Sequence, residues 1–306
     1  KNFTFINKFY IDENPLFFAE YHQAFKNSNL LMDLGYTKGY KNTSSNKSAG
    51  EKSHFFSQFI TSFKGKNDTD NTINLSVQDV SNDKYLKLYK IKSNLVDYKE
   101  DTLESGINFT HEKEDLFLGI NANMYETLKS DYEDKYEYIL PELTLNKNLY
   151  SDENLGNFEL LTNLKVHNYD TNKFSTFFVN DINWNSKNII SNNFVKSNFL
   201  GNLRNINYET KNINEYKKET TNELFGALGL LSEVNLEKKL ENSRYLLTPK
   251  FLLRYAPGSM RKENNSSRLD PSKAFSFNRL NDLNNFETGL STTVGFDYKI
   301  ENNLNK

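Results

Sequence analysis

The sequence predicts an all-β protein, a large antiparallel transmembrane β-barrel, and three observations carry that prediction. Residues 286–300 alternate without a break. Phe286, Thr288, Leu290, Thr292, Val294, Phe296, Tyr298 and Ile300 share one parity; Glu287, Gly289, Ser291, Thr293, Gly295, Asp297 and Lys299 share the other. Strand side chains switch faces at every residue, so this segment has one greasy face and one of small or charged groups. It is also long: a soluble strand runs about 5–6 residues, whereas a tilted membrane-spanning strand needs roughly 9–11. Finally, similar two-faced segments recur from end to end of the chain, as a barrel requires.

Each segment is read from its period of two. Phe55, Phe59 and Phe63 share a face with Ser57 and Thr61. Ile73, Leu75 and Val77 alternate with Asn74, Ser76 and Gln78. Leu116 to Met124 and Phe158 to Val166 repeat the pattern. Phe174, Phe178, Ile182 and Trp184 form a further face, and Leu224, Gly226, Leu228, Leu230, Val234 and Leu236 another. Polar clusters at 26–29, 112–115, 170–172 and 185–187 read as hairpin turns. Longer polar stretches at 41–52, 64–71, 210–222 and 257–273 read as loops. At ~20 residues per strand and connection, the chain holds roughly 14 strands. A soluble β-sandwich, β-helix or adhesin would need shorter strands, and no fixed-length repeat of the solenoid kind is present.

Bulk composition agrees. A mean hydropathy of -0.73 and 25% charged residues look soluble, yet 24 Phe and 18 Tyr are far too many for a disordered chain. A barrel reconciles these, because only the lipid-facing half of each strand must be apolar. Glu287, Asp297 and Lys299 are therefore assigned inward. The net charge of -2 offers no basic field for nucleic acid. No apolar run reaches the 18–20 residues of a transmembrane helix. There is no cysteine, hence no disulfide, thiolate site or cysteine nucleophile, and no apolar signal segment follows Lys1.

No catalytic constellation emerges, and no metal or cofactor site is assigned. His22, His54, His111 and His167 are scattered, and neither a G-x-S-x-G elbow nor a phosphate-binding glycine loop occurs. The chain is read as a non-enzyme. Pro141 and Pro249 each interrupt an apolar run, which places them at a strand start, an edge or a bulge.

Arginine stands out instead. The chain prefers Lys, yet keeps Arg204, Arg244, Arg254, Arg261, Arg268 and Arg279, five of them between residues 244 and 279. A guanidinium fork pairs bidentately with carboxylate or phosphate, which Lys cannot do. Arg254, Arg279, Asp270 and Glu287 are the candidate lumen or ion-pair residues, with Asp297 a further carboxylate. Two readings stand: structural ion pairs, or contact with phosphate groups of a lipid.

Pro249-Lys250-Phe251-Leu252-Leu253-Arg254-Tyr255-Ala256-Pro257-Gly258-Ser259-Met260-Arg261 leads to Arg268-Leu269-Asp270, then to Phe275-Ser276-Phe277-Asn278-Arg279-Leu280 and Phe286-Glu287-Thr288-Gly289-Leu290-Ser291. This order resembles the C-terminal barrel of the LptD family, the outer-membrane proteins of lipopolysaccharide assembly. There the pattern runs P-x-x-x-x-R-Y-x-P-G-x-M-R, then an Asn-Arg-Leu-like step, then E-x-G-x-S. Phe9-Tyr10-Ile11 with Glu20-Tyr21, and Tyr138 to Glu142, also look like barrel segments of that family. The specific match covers about fifty residues, 247–298.

The resemblance implies a very large barrel in the outer membrane of a Gram-negative bacterium, preceded by a periplasmic jellyroll. It implies lipopolysaccharide arriving along a periplasmic Lpt bridge of jellyrolls and leaving sideways into the outer leaflet. It also implies an LptE-like lipoprotein plugging the lumen. The sequence departs from the pattern in three ways: strand texture begins at once with Phe3-Thr4-Phe5-Ile6, no cysteine occurs, and 301–306 lacks a terminal aromatic. The expectation is therefore one barrel domain over 1–306, partial, missing strands at one or both ends and carrying no jellyroll. The alternative function is solute uptake through another outer-membrane barrel, a porin or a TonB-dependent receptor.

Overall fold

The structure, a computed structural model, describes residues 1–11, 13–40, 49–129, 134–191, 194–240, 243–261, 268–280 and 282–302. Among them sixteen strands form one antiparallel sheet: β1 (Asn2–Lys8), β2 (Leu16–Ala24), β3 (Ser28–Gly39), β4 (Ala49–Lys64), β5 (Asp70–Val80), β6 (Thr102–Lys113), β7 (Leu116–Thr127), β8 (Tyr136–Asp152), β9 (Gly156–Tyr169), β10 (Lys173–Asn185), β11 (Ile189–Ser191), β12 (Val195–Lys211), β13 (Thr221–Val234), β14 (Leu236–Leu240), β15 (Ser243–Ala256) and β16 (Gly289–Asn302). A short helix, α1 (Tyr85–Tyr89), lies between β5 and β6.

Two breaks divide single passes. β10 and β11 both lie against β12, and β13 and β14 both lie against β15. The β13–β14 break leaves the register unchanged, with Glu233 opposite Lys250 and Leu236 opposite Leu247. The gap falls opposite Pro249, which has no N–H to give the ladder. Thr248 Oγ1 donates to Asn235 Oδ1 at 3.1 Å across it. Sixteen strands thus make fourteen passes, and the first and last differ from a closed barrel in one respect. Among the described residues β1 pairs only with β2, and β16 only with β15, so the ladder is open.

Connections alternate in length. Those after even-numbered passes are short: 25–27, 65–69, 114–115, 153–155, 192–194 and 241–242. Those after odd-numbered passes are 9–15, 40–48, 81–101, 128–135, 170–172, 212–220 and 257–288, all but 170–172 longer than any of the first set. Successive connections of an antiparallel ladder lie at opposite strand ends, so one end carries turns and the other carries loops.

Some sequence expectations need correction. The stretch 64–71 is a tight turn containing a 3₁₀ segment, not a long loop. Residues 185–187 do not form a hairpin: Ser186 N donates to Phe199 O, and Phe199 N to Ser186 Oγ, both at 2.8 Å, so the chain stays beside β12. Of the settings expected for Pro141 and Pro249, a strand start is excluded, since both lie inside β8 and β15. Of the expected long loops, 41–48 and 262–267 lie outside the described residues.

By its internal packing the chain divides into two compact units. Unit 1 comprises 1–144, 164–176 and 210–213; unit 2 comprises 145–163, 177–209 and 214–306. In unit 1 the apolar residues of one parity are exposed or half-buried. Phe17 opposes Tyr36, Leu75 opposes Ile107, and Phe109 opposes Ile120. The other parity carries a row of asparagines, Asn74, Asn108 and Asn121, in register across β5, β6 and β7. Towards the loop end this second face is covered by the connection 81–101. Tyr85, Leu86 and Tyr89 of α1, with Ile91 and Val96, pack on Leu16, Phe56 and Leu103. His54 of β4 ties the connection down, its Nδ1 lying 3.1 Å from the Tyr85 hydroxyl and its Nε2 3.4 Å from Asp33.

Unit 2 repeats the two-faced design. Phe199 opposes Leu230 and Leu230 opposes Leu253, while Leu228 opposes Tyr255 and Tyr255 opposes Leu290. Leu290 is 72% exposed and Val294 76%. Such a contiguous apolar band belongs against lipid or a partner, not water. Beside the turn 153–155, Trp184 stacks on Phe158 with centroids 6.2 Å apart and donates its indole N–H to Leu155 O at 2.8 Å. Aromatics of this kind, apolar in body and polar at the tip, suit a membrane–water boundary.

Candidate functional site

The covered face of unit 2 holds Arg204 and Arg254. Strand alternation puts Arg204, Ile206 and Tyr208 of β12 on it, with Phe225 and Ala227 of β13 and Arg254 and Ala256 of β15. Over them lies the end of the connection 257–288, whose Phe286 is fully buried. Alternation alone places Phe286 on the lipid face with Leu290, and the structure corrects this. β16 begins only at Gly289, whose φ of +102° turns the chain and ends the alternation.

Phe286 sits between two cations. The guanidinium carbons of Arg204 and Arg254 lie 5.3 Å and 5.4 Å from its ring centroid, and Phe225 stacks on it at 5.7 Å. Arg204 is held by a bidentate pair to Asp181 of β10, with Nε to Oδ1 and Nη2 to Oδ2 both 2.7 Å, and both side chains are buried. Its remaining nitrogen donates to Asn285 O at 3.2 Å and Leu283 O at 3.4 Å.

Of the four candidate residues, three come together. Arg279 pairs with Glu287, with Nε to Oε2 at 2.8 Å and a second bond from Nη2, and Arg254 Nη2 donates to Glu287 O. Burial pushes the Glu287 carboxyl up, but the Arg279 hydrogen bonds and the Arg279 and Arg254 charges outweigh it and hold it below the usual range. Arg279 is correspondingly raised by its bond to Glu287. Asp270 stays apart: its carboxylate accepts from Ser272 N at 2.9 Å and Ser272 Oγ at 2.7 Å, which lowers it. Only its backbone meets the group, its N–H donating to Arg279 O at 2.7 Å. Asp297 pairs elsewhere, with Lys250.

The forks explain why arginine persists in a lysine-rich chain. Arg204, Arg244, Arg261 and Arg279 each grip a carboxylate through two nitrogens, on Asp181, Glu237, Glu223 and Glu287. A planar fork matches that geometry and an ammonium does not. These four guanidinium groups thus face carboxylates of the same chain. Arg254 differs: it is 1% exposed and its Nε and Nη1 have no hydrogen-bond partner among the described residues. Its compensation is the Phe286 ring and the nearby Glu287 charge.

Asp181 and Glu223 do not stand out in the sequence, where the signal is thin: each is one acidic residue within an alternating strand. The 81–101 connection also escapes a strand-based reading, although Tyr85, Leu86 and Tyr89 show the i, i+1, i+4 spacing of a helical apolar stripe. Among the described residues no cluster of three or more potential metal ligands occurs. No protein-family model and no curated protein matches the chain.

Proposed function

We propose that the chain forms the wall of an outer-membrane β-barrel that inserts lipopolysaccharide into the outer leaflet, as LptD-family proteins do. The observation that supports the membrane placement is the exposed apolar parity of strand after strand, from Phe3 and Phe5 of β1 to Leu290, Val294 and Phe296 of β16. Lipid covers that face, while the asparagine- and arginine-bearing parity faces water. The length asymmetry of the connections supports an orientation with turns in the periplasm and loops outside. The assignment to lipopolysaccharide rests on the resemblance over residues 247–298. On this reading the partners are lipopolysaccharide, an LptE-like lipoprotein and the periplasmic Lpt bridge, and the work is transport without bond chemistry in this chain.

Depletion of the full-length protein in cells with an intact inner-membrane pathway tests it. Surface lipopolysaccharide falls and accumulates inside if the reading holds. Unchanged surface lipopolysaccharide rejects it and leaves solute uptake, by a porin or a TonB-dependent receptor, as the function of the barrel.

A further inference from the structure

Three tyrosines from separate parts of the chain converge at the loop end of unit 1. Tyr10 belongs to the connection 9–15, Tyr40 follows β3 directly, and Tyr89 closes α1. The Tyr40 and Tyr89 rings stack with centroids 5.7 Å apart, and Tyr10 meets Tyr89 edge-on at 6.3 Å. Asn14 Nδ2 donates to Gly39 O at 2.8 Å, which ties the first connection to the end of β3. Tyr85, one turn before Tyr89, anchors α1 through His54. The three rings line a cavity of about 180 Å³, to which Glu13 adds a carboxylate and Lys90 an ammonium. All the residues that line it are among those described. A cavity of ~150 Å³ holds benzene, so the space takes a group of about six heavy atoms.

The chemistry of the lining favours a cation. The face of an aromatic ring is negative and attracts an ammonium, whereas a neutral apolar guest would be served as well by leucine. Burial pushes the Tyr89 phenol up, and the neighbouring Tyr40, Tyr10 and Glu13 add to the rise. Burial and Tyr40 raise Tyr10 likewise. Surroundings that oppose a phenolate favour a positive guest. Among the described residues no lysine or arginine lies over any of the three rings, so the chain does not supply that cation itself.

We infer that Tyr10, Tyr40 and Tyr89, with Glu13, form a cage for an organic cation, a methylated ammonium of the choline kind. The rings hold the methyl groups and the carboxylate balances the charge. Lys90 is exposed and lines the same cavity, where it meets the phosphate if the cation comes from a phospholipid headgroup. The inference does not rest on the lipopolysaccharide reading.

The test is calorimetric titration of the full-length protein in a maltoside detergent, which carries no ammonium. The probes are choline and its neutral isostere, in which a tert-butyl group replaces the trimethylammonium. Choline is expected to bind at least about tenfold more tightly than the isostere. Tyr10→Leu should weaken choline by about tenfold, and Tyr10→Phe, which keeps the ring, by less than about threefold. Tyr10 is 40% exposed, so its replacement leaves the fold in place. Absence of choline binding, or equal affinities for choline and the isostere, overturns the cage. If Tyr10→Leu does not fold, the comparison of the two probes on the parent protein decides. Glycerophosphocholine separates the two sources of the cation. Tighter binding than choline, with the gain lost in Lys90→Gln, assigns a phospholipid headgroup; binding no tighter than choline assigns a free cation.

Discussion

The Arg204 guanidinium lies 5.3 Å from the centre of the Phe286 ring while its fork grips Asp181, so one cation is shared between a carboxylate and an aromatic face. Arg254 approaches the same ring at 5.4 Å. Removing the ring leaves a cavity and strips both cations of a partner. Phe286→Ala is expected to destabilise unit 2 by about 3–5 kcal/mol. Phe286→Tyr, which keeps the face, should cost far less. Thermal unfolding followed by the gel-mobility shift of the folded protein measures both, and equal losses would mean that the aromatic face is irrelevant.

The two parities of β16 give a second contrast. Leu290 and Val294 lie on the exposed apolar face, whereas Ser291 shares the face of its cross-strand partner Arg254. A lysine facing the bilayer midplane costs about 2–4 kcal/mol and less towards the interface. Val294→Lys should therefore impair insertion into lipid most, Leu290→Lys less because it lies at the loop end of the strand, and Ser291→Lys least. The folded fraction after dilution into vesicles is the measurement. Indistinguishable folded fractions would reject the lipid assignment of that face.

Glu287 predicts a pH dependence. Its folded value lies below the unfolded carboxylate value of about 4.3, so its contribution is fully present above that pH and is lost as pH falls through the lower folded value. Arg279, raised by the same pair, gives its contribution throughout the neutral range and loses it only at extreme alkalinity. Acidification below about pH 4 should thus loosen the Arg279–Glu287 pairing within 268–288. Glu287→Gln should remove that part of the acid sensitivity. Melts of the parent and the variant at a series of pH values spanning the carboxylate range check this, and matching curves would contradict it.

What the sequence made legible was the part governed by local chemistry. Period-two alternation reports a strand with two unlike surroundings, so β4, β5, β7, β9, β10, β13 and β16 could be read directly, as could the hairpins at 26–29, 112–115 and 170–172. The expectation of roughly fourteen strands corresponds to the fourteen passes, because a break such as Val234–Asn235 opposite Pro249 divides a ladder without turning the chain. Phe286 is misplaced by pattern alone, since alternation continues through Gly289 in the sequence while the backbone there turns away. Arginine chemistry was legible in type but not in pairing. Arg204 meets Asp181 only because β10 and β12 are neighbours, a long-range fact with no local trace.

Gly35 offers a test of the other long connection. A Cβ there would run into the His54 ring and lie 2.7 Å from the Tyr85 hydroxyl, so the side chain that ties α1 to β4 would have to move. His54 has little freedom: it stacks on Phe56 at 4.5 Å and faces Asp33 on its other nitrogen. Gly35→Ala should therefore cost about 1–3 kcal/mol through overpacking, and the strain should fall on the attachment of 81–101 before the ladder. Limited trypsin digestion distinguishes the two. Cleavage at Lys84, Lys87 and Lys90 should quicken several-fold, while the strands keep their far-ultraviolet dichroism. Parent-like cleavage at these sites would show that the His54–Tyr85 contact does not hold the connection in place.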